Sequence, residues 1–324
     1  MLKNYTKEKI MKFKDWLNEW LDCYVKPSSK SKTYARYSEI VSVHIADALG
    51  GYEMNALTPL VLQRFTTRLL YSGNKKTGKG LSVNSVNGII TVIQNSLKQA
   101  CAIGYVAEYT GDKIKRPRAM EKQVTCFTPA EQKLIERTIL NGKKTKMFGV
   151  VLCLYTGLRI GELLALEWKD IDFKKGTISV TKACHDGRDN SGKYVRITDT
   201  PKTPSSQRVI PLPRQLIPYL KDIKRSNVSV NAVSSCSGKC VSVRAYQRSF
   251  ELLLIKLNIP HKGFHALRHT FATRALECGM DVKTLSEILG HKNASVTLNR
   301  YVHSLMEHKK DMMNRVGKLF TSVG

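Results

Sequence analysis

Several segments of this sequence carry polar residues that local structure does not need. In GFHALRHTFATRAL, residues 263–276, His265, Arg268 and His269 crowd the start of a stretch whose Leu267, Phe271 and Leu276 must be buried. His265 and Arg268 stand three apart and so share a helical face. His265 and His269 have the spacing of the zinc-binding pattern H-E-x-x-H, but Ala266 stands where that pattern needs its glutamate, so no metal is expected. The pattern suits an arginine that clamps an anion beside a histidine that moves a proton, with His269 a hydrogen-bonded core residue. YTGLRIGELLALEW, residues 155–168, embeds Arg159 and Glu162 among Leu158, Ile160, Leu163, Leu164 and Leu166. An isolated arginine is usually a surface residue, but among these neighbours the guanidinium is expected to enter a cleft, held by Glu162 through an i,i+3 ion pair. TPKTPSSQRVIPL, residues 200–212, places Lys202 in a turn before a strand, from which a hairpin could carry its ammonium into a site. In DVKTLSEILGHKNASVTLNRYVH, residues 281–303, Asp281 caps a short helix, Gly290 closes it, His291 follows, and a further helix carries Tyr301. Taken alone, Lys202 is a solvated loop residue and Tyr301 an ordinary aromatic.

The bulk composition says what anion to expect. Lys and Arg number 53 against 26 Asp and Glu, a formal net charge of +27 over 324 residues. Such an imbalance in a globular chain points to a polyanionic partner, with nucleic acid first. A basic membrane-surface protein is the alternative, but no lipidation motif or basic amphipathic anchor supports it. No apolar run approaches the roughly 20 residues of a membrane span, and the N-terminus lacks the apolar stretch of a signal peptide. Eight cysteines are scattered along the chain, and only Cys236 and Cys240 lie close together, so reduced structural thiols are expected in a cytoplasmic protein.

The elements that must position these residues fall into two groups. Residues 10–105 read as four helices. The first buries Phe13, Trp16, Leu17, Trp20, Leu21 and Tyr24; the second, from about Thr33, turns Tyr34, Tyr37, Ile40, Val41 and Ile45 inward. The third opens with Thr58 as N-cap and Pro59 at its first position, and the fourth buries Val86, Ile90, Ile93 and Leu97 before ending near Gly104. A basic loop, SGNKKTGKG, separates the last two. Residues 106–126 lack a sustained period and read as an extended linker. Thr128, Pro129 and Glu131 form a capping-box start to the next unit. Two helices, then the Val-, Ile- and Thr-rich segments GTISVTKA, KYVRITD and SQRVIPL, predict a small antiparallel sheet, with helices from about Val241 onward.

Arg, Lys, His, Arg, His and Tyr in this order, framed by GLRIGEL, HALRHTFAT, LGH and NRY, closely resemble the tyrosine recombinase (phage integrase) family over nearly the whole chain. The resemblance implies a mainly α fold with a small antiparallel β-sheet. It would comprise a helical core-binding domain (1–105), a linker (106–126), an α+β catalytic domain (127–304) and a C-terminal tail (305–324). It implies Arg159, Lys202, His265, Arg268, His291 and Tyr301 as catalytic residues, with Tyr301 the nucleophile. The family often has an acidic residue where this chain has Ala266. The tail, with Leu305, Met312, Met313, Val316 and Leu319 on one stripe, could close the protomer's own core; the resemblance instead implies that it docks on a neighbouring subunit.

The implied function is site-specific recombination through a 3′-phosphotyrosyl intermediate, integrating or excising a mobile element, with chromosome or plasmid dimer resolution as the alternative. No cofactor or metal is required, because the ester exchanged resembles the one broken. Implied partners are double-stranded recombination sites, a homotetramer on two duplexes, and an accessory DNA-bending or directionality factor, in a prokaryotic cytoplasm. DNA contacts are expected at Lys30, Lys32, Thr33, Lys75, Lys76, Lys79, Ser82, Asn84 and Ser85. With about ten residues before the first helix, the separate arm-site-binding domain of many integrases is not expected here. A type IB topoisomerase, a non-cleaving DNA-binding protein of the same fold and a metalloenzyme are the competing readings.

Overall fold

Helix formation begins where the apolar spacing predicts it. In α1 (Phe13–Trp20), Phe13, Trp16, Leu17 and Trp20 are buried on one face, and the indole of Trp16 donates to the carbonyl of Ser96 at 3.1 Å. The computed structural model describes residues 11–119, 125–142, 145–188, 194–199, 207–226, 229–233, 240–291, 310 and 313–318. They belong to two units, Met1–Lys122 and Gln123–Gly324.

In the first unit, α1 runs through a π-helical turn, Leu21–Val25, into α2 (Lys26–Ser28). Helix α3 (Ser31–Ile40) continues in the same way through Val41–Ile45 into α4 (Ala46–Leu49). Val41 and Ile45 are buried as expected, whereas Tyr34, Tyr37 and Ile40 lie half-buried at the core's edge. Their polar tips explain the two tyrosines: Tyr34 donates to Asp22 at 3.1 Å, and Tyr37 stacks on Trp20 with its hydroxyl near Asn95. Thr58 caps α5 (Pro59–Ser72) and Ser82 caps α6 (Val83–Ala102), each accepting a backbone N–H three residues on. Gly104, with φ +81°, ends the run.

Residues 106–119, read from sequence as part of a linker, are bound to this bundle. Val106 and Ile114 are buried in its core. Gln94 donates to Gly111 at 2.7 Å, Gln63 accepts from the Lys115 amide at 2.9 Å, and Arg116 reaches Thr91 at 3.1 Å. The absence of a helical or strand period hid this packing, because the segment docks through single residues rather than a face.

The second unit opens with the predicted capping box. Thr128 accepts from the Glu131 amide at 3.2 Å and Glu131 accepts from the Thr128 amide at 2.7 Å, starting α7 (Pro129–Asn141). Helix α8 (Phe148–Thr156) is apolar all round and buried nearly throughout, which makes it the unit's central element. Helix α9 (Ile160–Ala165) follows after one turn. Strands β1 (Ile171–Asp172) and β2 (Thr177–Val180) pair antiparallel; β3 (Ala183–Arg188) and β4 (Tyr194–Asp199) form a separate two-stranded hairpin; β5 (Arg208–Pro211) returns beside β2. Ile178 faces both Ile171 and Ile210, so the alternating pattern buries one side of the small sheet.

The described residues continue with α10 (Leu216–Ser226), α11 (Val243–Lys256), α12 (His265–Glu277) and α13 (Val282–Leu289). Asp186 of β3 accepts the Val243 and Arg244 amides at 3.0 and 2.9 Å, placing a carboxylate on the positive end of α11. Edge-to-face contacts among Phe127, Tyr246, Phe250 and Phe264 fill the core between α11 and the start of α12. Helix α12 packs on α8 and is tied to the incoming chain by Thr270, whose hydroxyl accepts the Phe127 amide at 2.8 Å. This is the mainly α fold with a small antiparallel sheet that the sequence predicts.

Gly157 makes the sharp exit from α8 possible. Its φ is +64°, and a Cβ there would lie 2.6 Å from Phe271 and 2.7 Å from Leu289. Gly157→Ala is therefore expected to lower the unfolding free energy by about 2 kcal/mol or more, through left-handed strain and overpacking together. Denaturant midpoints check this, and a midpoint equal to wild type would contradict the assigned geometry.

Candidate active site

Three helix ends meet in the second unit: the C-terminus of α8, the N-terminus of α9 and the C-terminus of α13. Arg268 enters this junction from α12, three residues after its start, and is 2% exposed. Its guanidinium donates to the carbonyl of Gly157 at 2.9 Å and to that of Leu289 at 2.7 Å. Both carbonyls close helices, so two negative helix ends offset the cost of burying the charge. The same guanidinium lies 2.9 Å from Nε2 of His291. Because arginine can only donate, Nε2 accepts there and the ring proton sits on Nδ1 while that bond holds.

Arg159 occupies the N-cap position of α9 with extended backbone, which turns its side chain back toward the junction. Nη1 donates to Glu162 at 2.7 Å and Nη2 to the carbonyl of Gly290 at 3.4 Å. Its side chain remains 37% exposed, the accessible member of the arginine pair. The ion pair with Glu162 is the one its i,i+3 spacing predicts. Glu162 also accepts the backbone N–H of Arg159 at 3.0 Å, so one carboxylate both caps α9 and steers its neighbour.

Glu162 has a further partner that sequence reasoning missed. Arg208, first residue of β5, donates to its two oxygens at 3.1 and 2.8 Å, and both side chains are 6% exposed. Burial alone would raise the Glu162 pKa. The hydrogen bonds and charge of Arg208, then the charge and backbone N–H of Arg159, outweigh it and bring the pKa down to about 2. The available signal was an arginine in the otherwise apolar strand RVIPL, a position that a small buried sheet rarely gives to an unpaired charge.

His265 stands exposed at the first position of α12, with His269 half-buried behind it at 4.5 Å between ring centroids, edge to face. The junction thus gathers Arg159, Glu162, Arg268 and His291 at the ends of α8, α9 and α13, while His265 lies three residues before Arg268 at the start of α12. Lys202 and Tyr301 lie outside the described residues, as does Cys236. Among the described residues no group of three or more His, Cys, Asp or Glu could hold a metal ion.

The expected DNA contacts lie on the first unit. Lys30 is the N-cap of α3 and half-buried, Lys32 is exposed, and Thr33 is half-buried in the first turn. Lys75, Lys76 and Lys79 are exposed on the loop after α5, where Asn74 Oδ1 accepts the Lys76 amide at 3.0 Å and Lys75 pairs with Asp47 at 2.7 Å. Ser82, Asn84 and Ser85 are exposed at the start of α6, with Ser82 and Ser85 occupied in capping it.

Comparison with known proteins gives a consistent picture. Residues 129–308 match the sequence model of the Phage integrase family, and residues 12–70 that of the Phage integrase N-terminal SAM-like domain. A XerC-like tyrosine recombinase of Caldanaerobacter subterraneus is 30% identical, over 94% of this chain and 83% of the relative. The ICEBs1 integrase of Bacillus subtilis is 26% identical, over 90% and 79%. Among solved structures, the Tn1549 transposon integrase in complex with transposon right end DNA superposes with a TM-score of 0.78 at 23% identity, covering 95% of this chain and all of that one. A lambda integrase tetramer bound to a Holliday junction gives 0.66 at 18% identity, over 88% and 78%. At these identities the structural likeness is one of fold.

The depressed pKa of Glu162 has a sign that can be checked. A carboxylate held near 2 in the folded chain, against about 4.5 ordinarily, contributes stability above pH 4.5 that is lost as pH falls toward 2. Glu162→Gln should thus cost about 3 kcal/mol at neutral pH, since it strands a buried guanidinium. The gap to wild type should narrow below about pH 4.5. Urea denaturation across that range measures it; a gap independent of pH would contradict the assignment.

Proposed function

The chain belongs to the phage integrase family of tyrosine recombinases, and from that premise we propose that it cleaves and rejoins DNA at specific sites to integrate or excise a mobile element. The observation that carries the reading is the pair of guanidiniums, Arg159 and Arg268, fixed from different directions on the C-terminal carbonyls of α13. A phosphodiester is an anion that repels nucleophiles and gathers more charge on its non-bridging oxygens as it reacts. Planar, permanently charged donors held in place stabilise that charge without reorganising.

The other roles follow from chemistry and position. Tyr301 is the nucleophile; its phenol, with an ordinary pKa of about 10, needs a base, and His265 at the exposed start of α12 suits that task. His291, oriented by Arg268, supports the base or the phosphate by hydrogen bonding. Lys202 protonates the departing 5′-oxygen. Attack leaves a 3′-phosphotyrosine and a 5′-hydroxyl, and a 5′-hydroxyl from the partner DNA reverses the step. The bond made resembles the bond broken, so the exchange is close to isoenergetic.

The first unit, which includes the docked segment 106–119, serves as a core-binding domain and the second as the catalytic domain. Lys30, Lys32, Thr33, Lys75, Lys76, Lys79, Ser82, Asn84 and Ser85 form the DNA-facing set of the first unit, and the charge of +27 supports a duplex as partner. Four protomers on two duplexes exchange strands in pairs, assisted by a DNA-bending or directionality factor, in a prokaryotic cytoplasm. Met313 and Val316 are exposed, which supports a tail that docks on a neighbouring subunit.

Tyr301→Phe tests the reading. The probe is a nicked duplex built on the sequence that the wild-type chain selects from a random pool. Wild type should form a covalent adduct resistant to denaturation, and the variant none, while both bind the duplex alike. Adducts at the wild-type level from Tyr301→Phe would remove Tyr301 from its role.

A further inference from the structure

Arg208 opens β5, six residues after Lys202, and ties two catalytic segments to one strand. Two of its nitrogens hold the carboxylate of Glu162, and the third, Nε, donates to the carbonyl of Ile288 in the last turn of α13. Its stem lies against the following turn: a Cβ on Gly290 would sit 3.1 Å from its Cδ and 3.0 Å from Nη1. Its Nε, Nη1 and Nη2 all donate within the protein, to Ile288 and Glu162, which commits its fork to the fold rather than to a ligand. We propose that Arg208 is a positioning residue for strand cleavage, locking Glu162 and the turn 288–291 to β5 so that Arg159 and His291 keep a fixed separation before the scissile phosphate arrives. The inference rests on the recombinase reading and assigns a role to a residue that would not touch DNA.

The geometry requires an arginine. A carboxylate and a carbonyl are engaged from one planar fork, along directions that a lysine ammonium cannot cover together. The charge groups around Glu162 sharpen the consequence. Arg208 faces it from β5, Arg159 from the start of its own helix, and the buried thiol of Cys153 from α8. Cys153 is pushed up first by its own burial, so it stays neutral and contributes no counter-charge. With Arg208 removed, burial opposes a carboxylate that only Arg159 still supports. Glu162 then takes up a proton at higher pH than in wild type, and a protonated Glu162 no longer pairs with Arg159.

The test compares wild type, Arg208→Met, Arg208→Lys and the double variant Arg208→Met/Glu162→Gln in the full chain. Single-turnover adduct formation on the nicked duplex is followed from about pH 8 to about pH 5.5, the range in which a buried carboxylate with a raised pKa would titrate. Arg208→Met should bind DNA like wild type yet cleave about a hundredfold more slowly at neutral pH, as expected when a reacting group is misplaced by about an ångström. Its rate should fall more steeply than wild type toward low pH, and adding Glu162→Gln should abolish that extra acid limb. Arg208→Lys should keep the wild-type pH profile with about a tenfold lower rate, because charge is retained and the fork lost. A wild-type rate in Arg208→Met, or a loss that is uniform in pH and unaltered by Glu162→Gln, overturns the proposal. If Arg208→Met does not fold, Arg208→Lys decides: a wild-type rate overturns the proposal and a slower rate with unchanged DNA affinity supports it. Failure of wild type itself to form adducts would instead overturn the recombinase reading.

Discussion

Three successive carbonyls at the end of one short helix each receive a different arginine. Ile288 accepts from Arg208, Leu289 from Arg268 and Gly290 from Arg159. Helix α13 has only eight residues, yet its unsatisfied C-terminal carbonyls and its dipole are the shared resting place for guanidiniums from β5, α12 and the start of α9. Gly290, with φ +64°, turns the chain so that these carbonyls stay open and His291 emerges beside Arg268. Removing any one guanidinium would take from one of these carbonyls the donor it now has.

One carboxylate makes the cluster tolerable. Glu162 accepts from Arg159 and Arg208 together, which cancels one of three positive charges and leaves two to face an anion. The surplus is what a phosphodiester needs, and its direction is set by rigid elements rather than by loops. Burial does the rest: Arg268 at 2% and Arg208 at 6% exposure are scarcely reached by water, while Arg159 at 37% remains open to a ligand. On the proposed reading, the bulk charge of the chain draws in a polyanion and this junction holds one phosphate within it.

Much of this was legible in the sequence where a single residue has a local job. Thr58, Ser82, Thr128 and Asp281 start helices as their types predict, and the three-residue spacing of Arg159 and Glu162 does produce an ion pair. HALRH yields one buried arginine, bonded to the carbonyls of Gly157 and Leu289, and one exposed histidine. Contacts between distant segments were not legible. Arg208 and Glu162 are 46 residues apart, and no local period links them. Residues 106–119 lack periodicity because they dock by individual anchors, Val106 and Ile114 among them. The roles of Lys202 and Tyr301 rest on their motifs, since both lie outside the described residues.

If the accessible guanidinium of Arg159 is there to meet the charge of a phosphodiester, changing that charge tests it most directly. Arg159→Ala is assayed for cleavage on two nicked duplexes, one with an ordinary scissile phosphate and one with an uncharged methylphosphonate at the same position. The expected result is a defect of about a thousandfold on the phosphate, in the range for loss of a preorganised donor, and cleavage within about tenfold of wild type on the methylphosphonate. An equal defect on both linkages would contradict it.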